Sequence, residues 1–227
     1  YQRSRGLGDV YKRQVFKGER WSTTRAYLDP VRRRKNLTII TKALVCKLIL
    51  ENNTATGVCF KNNKDKIFNV KSKKEVILCA GAVGSPHLLM LSGIGPKDHL
   101  KSMGINLKAD LPGVGQNLQD HPDFMIKYKC LKPVTLWPKT RTLNSVGAGI
   151  QWLLTREGMC ASNHFDAVAC VRSGPTVEYP DLQFCISPIA MDDNTWQPLQ
   201  EHAFQVHVGL MRTHSRGKIE LRSSDPA

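Results

Sequence analysis

No C-x-x-C pair and no regular ladder of cysteine spacings occurs in this sequence, although it holds seven cysteines, at 46, 59, 79, 130, 160, 170 and 185. The odd count, and the apolar strand-like runs around several of them, argue against a disulfide framework. They suggest reduced, buried thiols and an intracellular or organelle-matrix protein. Metal spacing is missing too. The seven histidines form no H-E-x-x-H, and His202 and His207 would point to opposite faces of an expected strand, so no metal site is expected. No apolar run reaches the ~18–20 residues that span a bilayer, and the opening stretch has no signal-peptide apolar segment. A dinucleotide loop G-x-G-x-x-G is absent, because "GLG" at 6–8 would need glycine where Tyr11 stands. Aromatic residues are sparse at 7%, and acidic residues number only 19 against 33 basic ones.

The resulting net charge of +14 raises nucleic acid as a partner. The basic residues are spread out, however. Their densest clusters, "RRRK" (32–35), "KNNKDK" (61–66) and "KSKKE" (71–75), resemble solvated loops and strand ends. No aromatic side chains interleave to stack on bases and no recognition helix accompanies them, so nucleic acid is not the expected partner. With 41% hydrophobic and 23% charged residues in 227, the chain suits a soluble globular protein of one large or two small domains.

Residues 1–14 are basic, lack periodicity and stay unassigned. The chain does not open on Met, so either it is a fragment or these first residues are foreign to the natural protein. A short helical stretch is expected from Ser22 through Leu28, interrupted by Pro30. "LTIITKALVCKLILE" (37–51) predicts two short strands or one bent strand, and "NNTATG" (52–57) a turn. "VILCA" (76–80) is continuously apolar, which suits a strand buried on both faces of a parallel sheet. Ser85 and Pro86 read as the cap and first position of a short helix that ends at Ser92-Gly93. A second short helix closes at Gly104. "INLKADL" (105–111) reads as a strand and "PGVGQNLQDHP" (112–122) as an irregular loop. Beyond Pro122, "DFMIKYKCL", "DLQFCISPIA", "AFQVHVGLM" and "GKIELRS" predict a mostly antiparallel sheet, and "LNSVGAGIQWLLTREG" a helix stopped by Gly158. A domain boundary is expected near residue 121.

The stretch "CAGAVGSPHLLMLSGIGP" (79–96) carries no acidic or Lys/Arg residue. Small residues at a strand end let the backbone lie close to another surface, which serves either tight strand–helix packing or a ligand. The stretch resembles the second signature of the glucose-methanol-choline (GMC) flavoprotein oxidoreductases: small residues, Ser-Pro, apolar pairs, then Ser-Gly-apolar-Gly. "GERWSTTRAYLDPVRRRKNLTIIT" before it and "DLPGVGQNLQDHP" after it resemble the flanking segments of that family in order and spacing. "GMCASNHFDAVACVRS", "PDLQFCISPIAMD" and "HAFQVHVGLMRTHSRGKIELRSSDP" resemble substrate-domain segments of its choline-oxidising members. The resemblance runs from about Val15 to the end.

The resemblance implies α/β plus α+β architecture. Residues 15–121 would be part of a Rossmann-like FAD-binding domain, and 122–227 part of an antiparallel-sheet substrate domain. It also implies an internal fragment that starts after the family's glycine-rich loop and stops before its catalytic His and His or Asn partner. No catalytic residue would then lie in this chain, and it would be inactive alone. The expected cofactor is FAD. Val45 would pair through its backbone with the flavin adenine, and Ala80 and Gly81 would lie against the adenosine. Asn117, Asp120 and His121 would stand near the cofactor in a structural role. Asp166 stands where choline-oxidising relatives usually carry Glu, one methylene longer, facing a trimethylammonium group. Such a group has no N–H and is held by negative charge and aromatic faces, to which Phe165 and Trp152 could contribute.

The implied reaction is oxidation of a primary alcohol by hydride transfer to flavin, choline to betaine aldehyde first, and on towards glycine betaine. The electron acceptor would be one other than NAD. Another alcohol or a sugar is the alternative within the family, and a basic nucleic-acid binder the alternative outside it. Family members are mitochondrial or bacterial, cytoplasmic or at the periphery of the inner membrane.

Overall fold

A computed structural model describes residues 15–227; the basic segment 1–14 lies outside the described residues. The strands are β1 (Val15–Phe16), β2 (Glu19–Arg20), β3 (Ala43–Glu51), β4 (Thr54–Asn62), β5 (Ile67–Lys71), β6 (Ile94–Gly95) and β7 (Ala109–Asp110). They continue with β8 (Asp123–Lys129), β9 (Ala167–Val171), β10 (Leu182–Ser187) and β11 (Ala203–Leu210). The α-helices are α1 (Gly81–Leu91), α2 (Lys97–Ser102), α3 (Trp137–Thr140) and α4 (Thr142–Thr155). Two compact units result. One comprises Thr38–Asp120 with His214–Ala227; the other comprises residues 15–37 with His121–Thr213.

The first unit is built on an antiparallel sheet in the order β3-β4-β5. Asn52 and Asn53 make the tight β3–β4 turn, both at positive φ (48° and 61°), as a two-residue hairpin with right-handed strand twist demands. "TATG", expected in that turn, instead opens β4. Strand β3 carries two register shifts, one between Val45 and Lys47 and one between Ile49 and Leu50. Helix α1 starts earlier than expected. Gly81, at φ +80°, swings the chain into the helix, so Ser85 lies within it and accepts a hydrogen bond from the Ala80 N–H at 3.2 Å. Pro86 sits inside the helix, where it has no N–H to give the Ala82 carbonyl.

Met90 and Leu100 are fully buried and pack with Leu221, and Ile219 and Val114 close around them. The segment "GKIELRS" forms no strand of its own. Gly217 makes a single bridge to Leu118, Ile219 N–H donates to Gly115 O at 2.7 Å, and Leu221 fills the core. "VILCA" is a clearer correction. Residues 75–79 are in no strand, and Ile77 is 73% exposed. Its apolar run is strand-like, but no described strand supplies it with a hydrogen-bonding ladder.

The second unit is a four-stranded antiparallel sheet in the order β8-β11-β10-β9. His207 faces Met125 on β8 and Cys185 on β10, and Cys185 faces Val168 on β9. By the two-residue alternation of strands, Asp123, Met125, Gln183, Cys185, Ser187, Gln205 and His207 share one face. Phe124, Ile126, Phe184, Ile186, Val206 and Val208 share the other. The polar face is the covered one. Gln205, Ser187 and Cys185 are buried there, while Phe124 on the apolar face is 70% exposed.

Helix α4 is closed by Arg156 in the left-handed region (φ +58°), two residues before the expected Gly158. The guanidinium lies 4.2 Å from the Trp152 ring centre and bonds Glu19 at 3.4 Å, which holds that conformation. Among the cysteines, which are free, only Cys59 and Cys185 are buried; Cys79, Cys160 and Cys170 are exposed. The expectation of buried thiols therefore fails for most of them: Cys79 and Cys160 lie outside any strand, and Cys170 is on the edge strand β9.

Ser92 ties α1 to β3. Its hydroxyl donates to Leu88 O at 2.6 Å and accepts the Leu48 N–H at 2.8 Å, both buried. Ser92→Ala would strand that amide without an acceptor, at a cost of about 1–3 kcal/mol. Urea unfolding of the variant against the wild-type chain measures it. A loss below half a kcal/mol would mean that another acceptor takes the amide.

Candidate functional site

Two cavities gather the residues of interest, one in each unit. In the unit containing Thr38–Asp120, a cavity of about 230 Å³ lies between the start of α1 and the loop after β7. Ala82, Pro86, Gly115, Asn117, Leu118 and Ile219 are among its walls. Asn117 takes the left-handed conformation there, at φ +63°. Just before the cavity, Ala80 and Gly81 are exposed, and nothing lies within 4 Å of where a side chain on Gly81 would stand. The surface offered is backbone with little side-chain bulk, as a flat extended ligand requires. Val45 sits at the first register shift of β3, opposite Phe60 and partly open to solvent. It lines neither cavity. Asp120 is exposed and also lines neither.

The second cavity, about 400 Å³, opens on the polar face of the four-stranded sheet. Its walls include His121, Asp123, Phe165, Gln183, Cys185 and His207. His121 Nε2 lies 3.2 Å from Met211 O, which it can meet only as a donor. His207 is held from both sides: Nδ1 is 2.7 Å from Asp123 Oδ2, and Nε2 is 2.7 Å from Gln205 Nε2. The Phe165 ring meets His207 edge-on, with ring centres 5.7 Å apart.

Asp166 does not line this cavity. It is exposed, one residue beyond Phe165, and its N–H donates to Ile186 O at 3.0 Å, extending the β9–β10 ladder. Strand alternation assigns it to the polar face with Val168. Phe165 does line the cavity. Trp152 does not, because its indole N–H donates to Gly18 O and its ring carries the Arg156 guanidinium. Asp123, Gln183, Gln205 and His207 were not singled out for this site from the sequence. Their signal was present, since "FQVHVG" and "LQFCIS" place polar residues at every second position of otherwise apolar strands.

Comparison with known proteins gives a consistent result. The family model described as GMC oxidoreductase matches residues 3–123. An oxygen-dependent choline dehydrogenase of Staphylococcus xylosus is 45% identical over 224 residues, covering 99% of this chain and 40% of that protein. The oxygen-dependent choline dehydrogenase of Ectopseudomonas mendocina is 43% identical over 222 residues, covering 97% and 39%. A formate oxidase of Aspergillus oryzae superimposes with a TM-score of 0.84 at 24% identity, covering 93% of this chain and 41% of its own. The chain thus spans about two fifths of the length of the curated relatives it matches.

Gly81 needs its positive φ but has free space around it. Gly81→Ala should therefore cost only the left-handed backbone penalty of about 1–2 kcal/mol. Denaturant unfolding checks this, and a much larger loss would reveal a hidden contact at the start of α1.

Proposed function

The chain belongs to the GMC oxidoreductase family and has a partial GMC fold, and from that premise we propose that it is part of an FAD-dependent enzyme oxidising choline. The observation that carries this reading is the identity shared along nearly the whole chain with bacterial relatives named for choline oxidation.

Part of FAD would lie against the first cavity and its rim; at about 230 Å³ the cavity takes only a portion of so large a cofactor. The exposed Ala80 and the left-handed Gly81 leave the backbone bare, and Asn117 closes the same cavity as Ala82. Val45 would add a backbone pair from β3. When bound, FAD supplies the capacity to accept a hydride from the alcohol carbon. The residues of the first unit bind it and exclude side-chain bulk. By the family resemblance, residues 15–121 would belong to the cofactor domain and 122–227 to the substrate domain, although His214–Ala227 pack with Thr38–Asp120 and line the first cavity through Ile219. Asp120 and His121 would stand near the cofactor in a structural role, although Asp120 lines neither cavity and His121 lines the larger one. No catalytic base is assigned among these residues.

The polar face of the four-stranded sheet would receive the substrate. Choline presents a trimethylammonium head with no N–H, so the protein must supply negative charge and apolar or aromatic surface. Asp166 supplies charge at the edge of that face, and Phe165 supplies an aromatic wall. The acceptor that reoxidises the cofactor would be one other than NAD. No helix among the described residues is long and apolar enough to cross a membrane. The matched relatives are bacterial and lend no support to the mitochondrion; the bacterial cytoplasm or the inner-membrane periphery would be the compartment.

The test is made on the full-length protein. It should retain FAD on purification and reduce a dye with choline at a kcat/KM at least about tenfold above that with 3,3-dimethylbutan-1-ol, its uncharged carbon isostere. Asp166→Asn should raise the KM for choline by about tenfold, the effect of losing roughly 1.4 kcal/mol of charge interaction. Absence of flavin, or equal turnover of the two alcohols, would overturn the reading.

A further inference from the structure

In a chain of net charge +14, the larger cavity has no Lys or Arg among its lining residues; Asp123 is its one carboxylate. His207 is bonded directly to that carboxylate, so its state bears on whether the charge is neutralised; His121, the other imidazole lining the cavity, is engaged by Met211 O. Gln205, which contacts His207, is itself buried at 5% exposure. Its Oε1 accepts the Met191 N–H at 2.9 Å, which fixes the orientation of the amide. Its Nε2 therefore carries the hydrogens, and it points them at Met125 Sδ (3.9 Å) and His207 Nε2 (2.7 Å). His207 Nε2 must accept, because a protonated Nε2 would set two donors against each other at hydrogen-bond distance. The remaining ring proton is then on Nδ1, donated to Asp123 Oδ2 at 2.7 Å.

The loop that delivers Met191 is itself pinned. Asp192 accepts from the Thr195 N–H, the Thr195 hydroxyl and the Asn194 N–H, bonds that hold its carboxyl below the usual range, the Thr195 amide foremost. Lys127, a cation on the same face, is bonded to Asp193 at 2.5 Å.

We propose that Gln205 locks His207 as the neutral Nδ1–H tautomer, so that Asp123 keeps a full negative charge and makes this cavity a site for a small cation clad in apolar groups. His207 orients the carboxylate and does not cancel it. Phe165, Leu210 and Met211 supply the apolar walls. A volume of about 400 Å³ suits a small organic ion. Identifying that ion with the head of the substrate rests on the choline reading above; the cation site itself does not. Asp123 is then a binding residue of the polar face in addition to Asp166.

The experiment uses the full-length protein and tetramethylammonium as the probe. Calorimetry should show binding, weakened at least about tenfold by Asp123→Asn and retained in Asp123→Glu. In nitrogen-15 spectra of the unmutated protein at neutral pH, His207 should be the Nδ1–H tautomer, and Gln205→Met should release it. No binding to the wild type, or equal binding to Asp123→Asn, overturns the proposal. So does a wild-type His207 found as the Nε2–H tautomer or as imidazolium. Loss of binding in Asp166→Asn but not in Asp123→Asn overturns it while leaving the choline reading intact. Tetramethylammonium binding that depends on Asp123, with no turnover of choline, upholds the site and removes choline as the substrate.

Discussion

His207 stands opposite Met125 on one neighbouring strand and Cys185 on the other, and everything on the polar face follows from that alignment. Side chains alternate along a strand, so a slip of one residue in β11 would carry Gln205 and His207 to the apolar face. Gln205 lies two residues before His207 on β11, and Asp123, far away in sequence, reaches the same imidazole because β8 pairs with β11 in this register. The satisfied Gln205 amide in turn holds the register. Burying it elsewhere would leave a donor and an acceptor unpaired, at a cost of about 1–3 kcal/mol for each.

This sheet reverses the usual burial of polar and apolar faces. Gln205, Ser187 and Cys185 are covered, and Phe124, Ile126 and Ile186 are open. The polar face can be covered because its groups find partners: Met191 for Gln205, Asp123 for His207. A hydrogen-bonded polar face around a cavity is what a small charged ligand needs, whereas a purely apolar lining would leave a cation unsolvated.

In the other unit the governing choice is small against large. Gly81 swings the chain into α1 with no side chain above it, and Ser92 at the far end locks the helix to β3 through two buried hydrogen bonds. The bare backbone of one end is thus held by the packing of the other. Residues 76–80 read as a buried strand because periodicity reports only apolar character. Whether a ladder forms depends on a neighbour, and none of the described strands stands beside it. The same limit explains "GKIELRS", whose apolar positions serve as plugs for the Met90–Leu100 core without forming strand pairs.

Much was legible in the sequence. The family came from "GAVGSPHLLMLSGIG" and its flanking segments, since close backbone approach and a helix start demand particular residues at fixed spacing. The antiparallel strands after Pro122 came from alternation, and the Asn-Asn turn from residues that tolerate positive φ. Asp166 drew notice because it stands where choline-oxidising members of the family usually carry Glu. The role of Asp123 was not legible, because its meaning depends on a histidine 84 positions away and on the direction of a glutamine amide set by a third loop. Local rules fix which residues can turn, cap or alternate; only the assembled sheet decides which polar groups meet, how each proton is held, and so where a charge survives.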